Sequence, residues 1–143
     1  MVFNAELKVN PTDRILKAHG LGEGGAVQKA IDNACIAYMS KYTPRRNGVL
    51  EKSVMIHTVI GSGQLVQATP YARFQYYGKV MTTTDGRVWA KRGEEKPVIT
   101  SRNLVYSPSR NPSAGAKWFE RMVNERKGDI LKVAQAAAKR ASE

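Results

Sequence analysis

The chain has 143 residues and a mass of 15.8 kDa, with 42% hydrophobic and 24% charged residues. This composition excludes a disordered chain, and the length predicts one domain over residues 1–143. The formal net charge of +11 favours anionic or acidic partners. Because no apolar run is long enough for a membrane span, we expect no membrane partner.

Few residues are candidates for catalysis or metal binding. Cys35 is the only cysteine, which excludes an intrachain disulfide, and its helical spacing places it in the core. His19 and His57 lack a second histidine or a cysteine at metal-ligand spacing. Glu94 and Glu95 are adjacent between cations, as in a solvated turn. We therefore predict no catalytic residue, metal, cofactor or small-molecule substrate.

The N-terminal part of the chain predicts a strand and two helices. Apolar and polar residues alternate over residues 3–9, which is the period of a half-buried strand. Residues 10–13 are typical of a helix start, with an asparagine cap followed by proline. A longer helix is predicted over residues 26–42, ended by Pro44, with Asp32 on its polar face. Its apolar face consists of Val27, Ile31, Ala34, Cys35, Tyr38, Met39 and Tyr42.

The next segments predict a strand pair and then an aromatic element. Residues 53–60 are rich in β-branched side chains, a glycine turn follows, and residues 64–69 read as the returning strand. Residues 71–77 could be a strand by aromatic content, but the preceding threonine and proline favour a short helix that ends at Gly78. Gly48 and Gly78 are both predicted to need a positive φ.

A long excursion is predicted over residues 79–112. Asp85 and Gly86 form a hairpin signal between residues 81–84 and residues 87–90, and a polar segment follows. Such a length without regular structure indicates a functional or assembly role. Tryptophan and arginine are enriched among interface hot spots. The predicted interface residues are Arg87, Trp89, Lys91 and Arg92.

The last predicted element is a helix over residues 113–140. We expect an α+β fold, in which this helix and the helix of residues 26–42 pack on a small, largely antiparallel sheet. The N-terminal strand and the two segments at residues 53–60 and 64–69 would form that sheet.

The order of these motifs resembles the tail-completion or minor capsid family of tailed bacteriophages, the small neck proteins that join head and tail. Members carry a long helix that ends in Pro-x-x-Thr-Gly-x-Leu with a serine close behind. A strand pair, a Tyr-Ala-x-x-x-Glu-x-Gly segment and a C-terminal helix opened by a small residue and an aromatic follow. Asn47 replaces the usual threonine here, and Tyr76 stands at the acidic position. The matching residues are Pro44, Gly48, Leu50, Ser53, Tyr71, Ala72, Gly78, Ala114, Gly115, Trp118 and Phe119.

This resemblance implies a structural virion protein of the head-tail junction without enzymatic activity, made in the cytoplasm of a bacterial host. It further implies a ring of copies of the chain, around a sixfold axis, in contact with neighbouring neck and tail proteins.

The alternative hypothesis is a small basic nucleic-acid-binding module. Residues 41–92 contain nine basic residues against only two acidic ones, and aromatic residues lie among the cations, as on nucleic-acid-binding surfaces. Non-specific contact with DNA would also follow from the net charge. A third reading, a nuclease, would need an acidic metal cluster that the sequence does not show.

Overall fold

The computed structural model describes residues 1–6 and 13–143. Five helices and four short strands lie in these residues. Their bounds in chain order are β1 Val2–Asn4, α1 Asp13–Ala18, α2 Ala26–Met39, α3 Val49–His57, β2 Gln64–Val66, α4 Ala72–Tyr77, β3 Lys79–Thr82, β4 Val98–Asn103 and α5 Trp118–Ala141.

The strands form two separate antiparallel pairs. β1 pairs with β2, so that Val2 lies opposite Val66, and β3 pairs with β4. The α+β fold class is therefore confirmed, and so is the antiparallel character of the sheet that holds the N-terminal strand and β2. Strand β1 ends at Asn4, and residues 7–12, on which the rest of the predicted strand and most of the predicted helix start fall, lie outside the described residues.

Helix α3 replaces the strand predicted over residues 53–60, and that prediction was wrong. Gly48 caps the helix with a φ of +81°, and the Asn47 side chain accepts a hydrogen bond of 3.2 Å from the Val49 amide. Leu50, Ser53 and Val54 are buried, at the i, i+3 and i+4 spacing of a helix face. The β-branched residues hid this spacing because they also fit an alternating pattern.

The body of the molecule is built on helix α2 packed along helix α5. The Trp118 side chain, at the start of α5, is fully buried and donates from Nε1 to Oε1 of Gln67 at 3.1 Å. Gln67 in turn donates from Nε2 to the Leu50 carbonyl at 3.2 Å, which ties α5 to α3. The buried core cluster consists of Phe3, Val27, Ile31, Cys35, Met39, Tyr42, Leu50, Val54, Leu65, Ala72, Tyr76, Trp118 and Met122.

The predicted apolar face of α2 is confirmed, whereas the predicted exposure of Asp32 was wrong. Asp32 is fully buried, and its Oδ2 atom accepts hydrogen bonds from the backbone amides of Gly61, at 2.7 Å, and Gly63, at 3.2 Å. Its Oδ1 atom accepts a third bond, of 2.8 Å, from the Gln28 side chain. The carboxylate therefore fixes the turn that leads into β2.

Helix α4 confirms the helical reading of residues 71–77. Gly78 ends it with a φ of +67°, so the positive φ predicted at both Gly48 and Gly78 is confirmed. A Cβ atom at Gly78 would lie 2.9 Å from the Ala116 Cβ atom and 3.1 Å from the Tyr106 hydroxyl. Glycine is therefore required there by packing as well as by the backbone.

Helix α5 starts later than predicted. Residues 113–117 precede it in an irregular conformation, and Arg121 holds them by donating to the Ser113 and Ala116 carbonyls at 3.0 and 2.9 Å. None of the described helices combines the length and the hydropathy that a bilayer crossing requires.

Candidate assembly interface

The predicted excursion forms an arm, defined here as residues 79–103. Its root is the β3–β4 pair, with Met81 opposite Ile99 and Thr82 opposite Val98. A register shift between Lys79 and Met81 interrupts the ladder. Strand β4 is largely exposed and has β3 as its only strand neighbour among the described residues. Residues 83–97, which we call the arm tip, connect the two strands.

The arm tip starts with the turn that the sequence predicted at Asp85 and Gly86. The Gly86 amide donates to the Thr83 carbonyl at 3.0 Å, and the Thr83 amide donates to the Arg87 carbonyl at 3.0 Å. Gly86 has a φ of +85°, as the turn requires. The predicted return strand over residues 87–90 was wrong, because β3 pairs instead with β4, which begins at Val98.

Arg87 organises the arm tip from within. Its guanidinium bonds to the Asp85 carboxylate at 2.6 Å and to the Glu94 carboxylate at 2.5 Å. The second oxygen of Glu94 accepts a hydrogen bond of 2.9 Å from the Lys91 amide. These contacts join the two ends of the tip across an irregular segment.

The ion pairs of the tip shift the pKa values of its carboxyl groups. Hydrogen bonds from Arg87 and from the Thr83 hydroxyl lower the pKa of Asp85 to about 2. The Lys91 amide and the Arg87 guanidinium lower the pKa of Glu94. Both acids are therefore ionised at neutral pH and hold Arg87 in place.

Trp89 is the large apolar side chain that this network presents to the outside. Its indole ring is 57% exposed and lies under the Arg87 guanidinium, 4.4 Å from Cζ to the ring centroid. Val88 beside it is also exposed. The stacked guanidinium is attracted to the ring face and restrains the ring.

The structure thus brings two of the four predicted interface residues into contact and leaves two apart. Arg87 and Trp89 stack on each other, whereas the Lys91 and Arg92 side chains are exposed and form no salt bridge with a described residue. The sequence reading missed the role of Glu94. Glu94 lies seven residues after Arg87, in an irregular segment, so no helix or strand periodicity in the sequence predicts their contact.

Neither histidine contributes to a site in the part of the chain that the structure describes. His19 and His57 are exposed, and Nδ1 of His57 lies 2.9 Å from the Ser53 carbonyl. No three histidine, cysteine, aspartate or glutamate side chains among residues 1–6 and 13–143 come together as metal ligands.

A comparison with protein families identifies the family to which the chain belongs. The family model described as "Minor capsid protein" matches residues 24–142, which include the whole arm. The chain belongs to the minor capsid protein family. No curated protein and no solved structure gave a significant match. This family membership makes the chain a structural component of the phage virion that interacts with other phage structural proteins, and it implies a non-enzymatic role.

A second exposed apolar surface of this minor capsid protein lies on α3 and just after it. Met55, Ile56 and Val59 are 66%, 74% and 73% exposed. The strand prediction concealed this surface, because the alternation of a strand puts Ile56 on the same face as Val54. In the helix, Val54 is buried and the next two residues face outward.

Proposed function

We propose that this minor capsid protein is a tail-completion protein of the phage neck, where copies of the chain form a closed ring between head and tail. The observation that carries the proposal is the exposed Trp89, held over the surface by an internal network of ion pairs. A free surface rarely exposes a tryptophan, and tryptophan and arginine are the residues most enriched among interface hot spots. The arm tip is the contact that the proposal assigns to a neighbouring subunit or neck protein.

Two different apolar surfaces support a ring over a twofold dimer. A closed ring uses heterologous contacts, in which one patch of each copy meets a different patch of the next. The arm tip offers Val88 and Trp89, and α3 with its following turn offers Met55, Ile56 and Val59. The family resemblance given by the sequence motifs favours six copies around the axis, and the head-tail junction as the location.

The competing nucleic-acid reading needs free aromatic faces on which bases can stack. Instead, many aromatic rings of this chain already carry a cation of the same chain. Lys117 lies over Tyr76 and Tyr77, at 5.1 and 4.3 Å from the ring centroids. Further pairs of this kind are Arg87 with Trp89, Lys96 with Phe74, Arg121 with Tyr42, and Arg126 with Tyr38. The interleaved cations and aromatics therefore serve packing, which favours the structural role.

Two variants of the arm tip test the proposal in a phage that lacks the wild-type gene. Deletion of residues 83–91 should leave a folded body, because the segment that follows the arm is anchored separately. Asn111, for example, donates to the Ser40 and Thr43 carbonyls at 2.9 and 2.8 Å. Trp89→Ser removes the proposed contact and the stacking on Arg87, and it leaves the ion pairs of Arg87 in place. We expect both variants to melt as cooperatively as the wild type and to leave heads and tails unjoined in electron micrographs.

The control is Leu131→Ser on α5, since Leu131 is 51% exposed and thus resembles Trp89 in accessibility. Normal infectious particles from a folded Trp89→Ser protein would refute the assembly role of the arm. A salt titration separates the nucleic-acid alternative: nanomolar to micromolar DNA affinity that falls steeply with salt would favour that reading.

A further inference from the structure

A basic cleft lies on the body, outside the arm tip. Two cavities of about 300 and 430 Å³ share Pro44, Arg46 and Gln75 in their walls and therefore lie side by side; we call the two together the cleft. One wall is the loop between α2 and α3, and the other is the segment between β4 and α5. Neither wall belongs to the proposed arm contact.

The cleft carries positive charge that the body does not neutralise. Arg45, Arg46 and Arg110 all line it. Arg45 pairs with Glu51 at 3.2 Å, whereas Arg46 and Arg110 form no salt bridge with a described residue. Two guanidinium groups with uncompensated charge in a concave surface favour an anionic group there.

The cleft also has an apolar rim that the fold leaves uncovered. Val105 is 98% exposed, although it lies between Leu104 and Tyr106, which are both partly buried. The ring of Tyr71 and the side chain of Leu50 line the other cavity. A ligand that fits this cleft therefore has apolar side chains next to its negative charges.

The walls of the cleft are held in place before binding. The Tyr106 hydroxyl donates to the Gln75 carbonyl, and the amide of Leu104 donates to the Gly78 carbonyl at 2.9 Å. The Asn111 side chain holds the other end of the same wall next to the end of α2, through its hydrogen bonds to the Ser40 and Thr43 carbonyls. A preformed cleft loses little conformational entropy when a ligand binds.

From these features we infer that the cleft binds an acidic segment of a partner protein of the virion, with carboxylates on Arg46 and Arg110 and an apolar side chain against Val105. Planar guanidinium groups match carboxylates in bidentate geometry. A DNA duplex presents a convex, highly charged phosphate surface, so it would leave the recessed, partly apolar walls unfilled. Only one part of this inference, that the partner is a virion protein, rests on the proposed structural role.

A labelled synthetic peptide of alternating glutamate and leucine is the probe, with the same peptide carrying glutamine in place of glutamate as its uncharged counterpart. We expect the wild-type protein to prefer the acidic peptide. The double variant Arg46→Gln with Arg110→Gln should weaken its binding by roughly tenfold or more, the usual size of a lost charged hydrogen bond. Val105→Ser should weaken it by a smaller factor.

The matched control is Lys127→Gln with Lys132→Gln, which removes the same charge from exposed positions of α5. Equal losses in the two double variants would overturn the inference, because general attraction to a basic protein would then explain binding. Displacement of the peptide by duplex DNA, with DNA affinity that depends on Arg46 and Arg110, would overturn it in favour of nucleic acid. We expect Trp89→Ser to leave peptide binding unchanged, so the test of the cleft does not depend on the role of the arm.

Discussion

The body and the arm tip of this minor capsid protein are held together by different kinds of interaction. The body relies on buried apolar side chains and on buried polar side chains that are hydrogen-bonded to other segments, such as Asp32 and Gln67. The arm tip relies on ion pairs around Arg87 at the surface, with its largest apolar side chain left outside. Buried contacts give stability, whereas exposed ion pairs contribute little to it. The arm tip therefore has a defined shape that the stability of the fold does not require.

The largest expected effect of a single change is in the body. Asp32→Ala removes the acceptor of two backbone amides and one side-chain amide, and each buried group left unpaired costs free energy. We expect the free energy of unfolding in urea to fall by about 2–4 kcal/mol. Asp129→Ala is the control, because the exposed pair of Asp129 with Arg126, at 3.3 Å, contributes little. Equal stability of the two variants would show that Asp32 does not anchor the turn.

A smaller difference is expected between two glycines. Gly48→Val introduces only backbone strain, since the nearest atoms to an added Cβ lie 3.9 Å away, and should cost roughly 1–2 kcal/mol. Gly78→Val adds a collision with Ala116 at 2.9 Å, and we expect a loss at least about 1 kcal/mol larger. Urea unfolding of both variants measures the difference. Gly48→Val as the more damaging change would contradict the packing described at Gly78.

The smallest expected effect concerns pH and is confined to the arm tip. The pKa of Asp85 is lowered from an ordinary 3.8 to about 2, so its contribution is complete above about pH 4 and is lost as pH falls through 2. The lowered pKa of Glu94 acts in the same direction. Because the chain has two tryptophans, the Trp89 signal is the fluorescence of the wild-type protein minus that of a Trp89→Phe protein. This difference should change between about pH 4 and pH 2 while the helical circular dichroism persists.

Asp85→Asn is the matched control for this titration, because it removes the titrating group and leaves Glu94 alone to hold Arg87. The low-pH change in Trp89 fluorescence should then be weaker. A Trp89 fluorescence difference that stays constant from pH 5 to pH 2 would contradict the described link between the acids and the tryptophan.

Most of the body could be predicted from the sequence, because local patterns specify it. Helix α2 has a continuous apolar face, and α4 has a proline before it and a left-handed glycine after it. Helix α3 could not be predicted in this way. Residues Val54, Ile56 and Thr58 fit an alternating strand, and what decides for the helix is the burial of Leu50 and Val54 against distant segments.

The polar contacts were the least predictable part of the structure. Asp32 lies among polar residues of α2, and its burial depends on glycines about thirty positions away. At the candidate interface, the sequence identified Arg87 and Trp89 by residue type, but the pairing of Arg87 with Glu94 depends on the path of an irregular loop. Residue types alone were thus enough to select the candidate surface, whereas the contacts within it follow from the tertiary structure.

The central claim is that Trp89 contacts another virion protein, and cross-linking at that position tests it most directly. A photoreactive p-benzoylphenylalanine is placed at position 89, and in a separate protein at position 131, where Leu131 is similarly exposed on α5. After irradiation of assembled phage particles, we expect the probe at position 89 to join this chain to a second copy or to a neighbouring virion protein. Particles that assemble normally and yield no cross-linked product from position 89 would contradict the account.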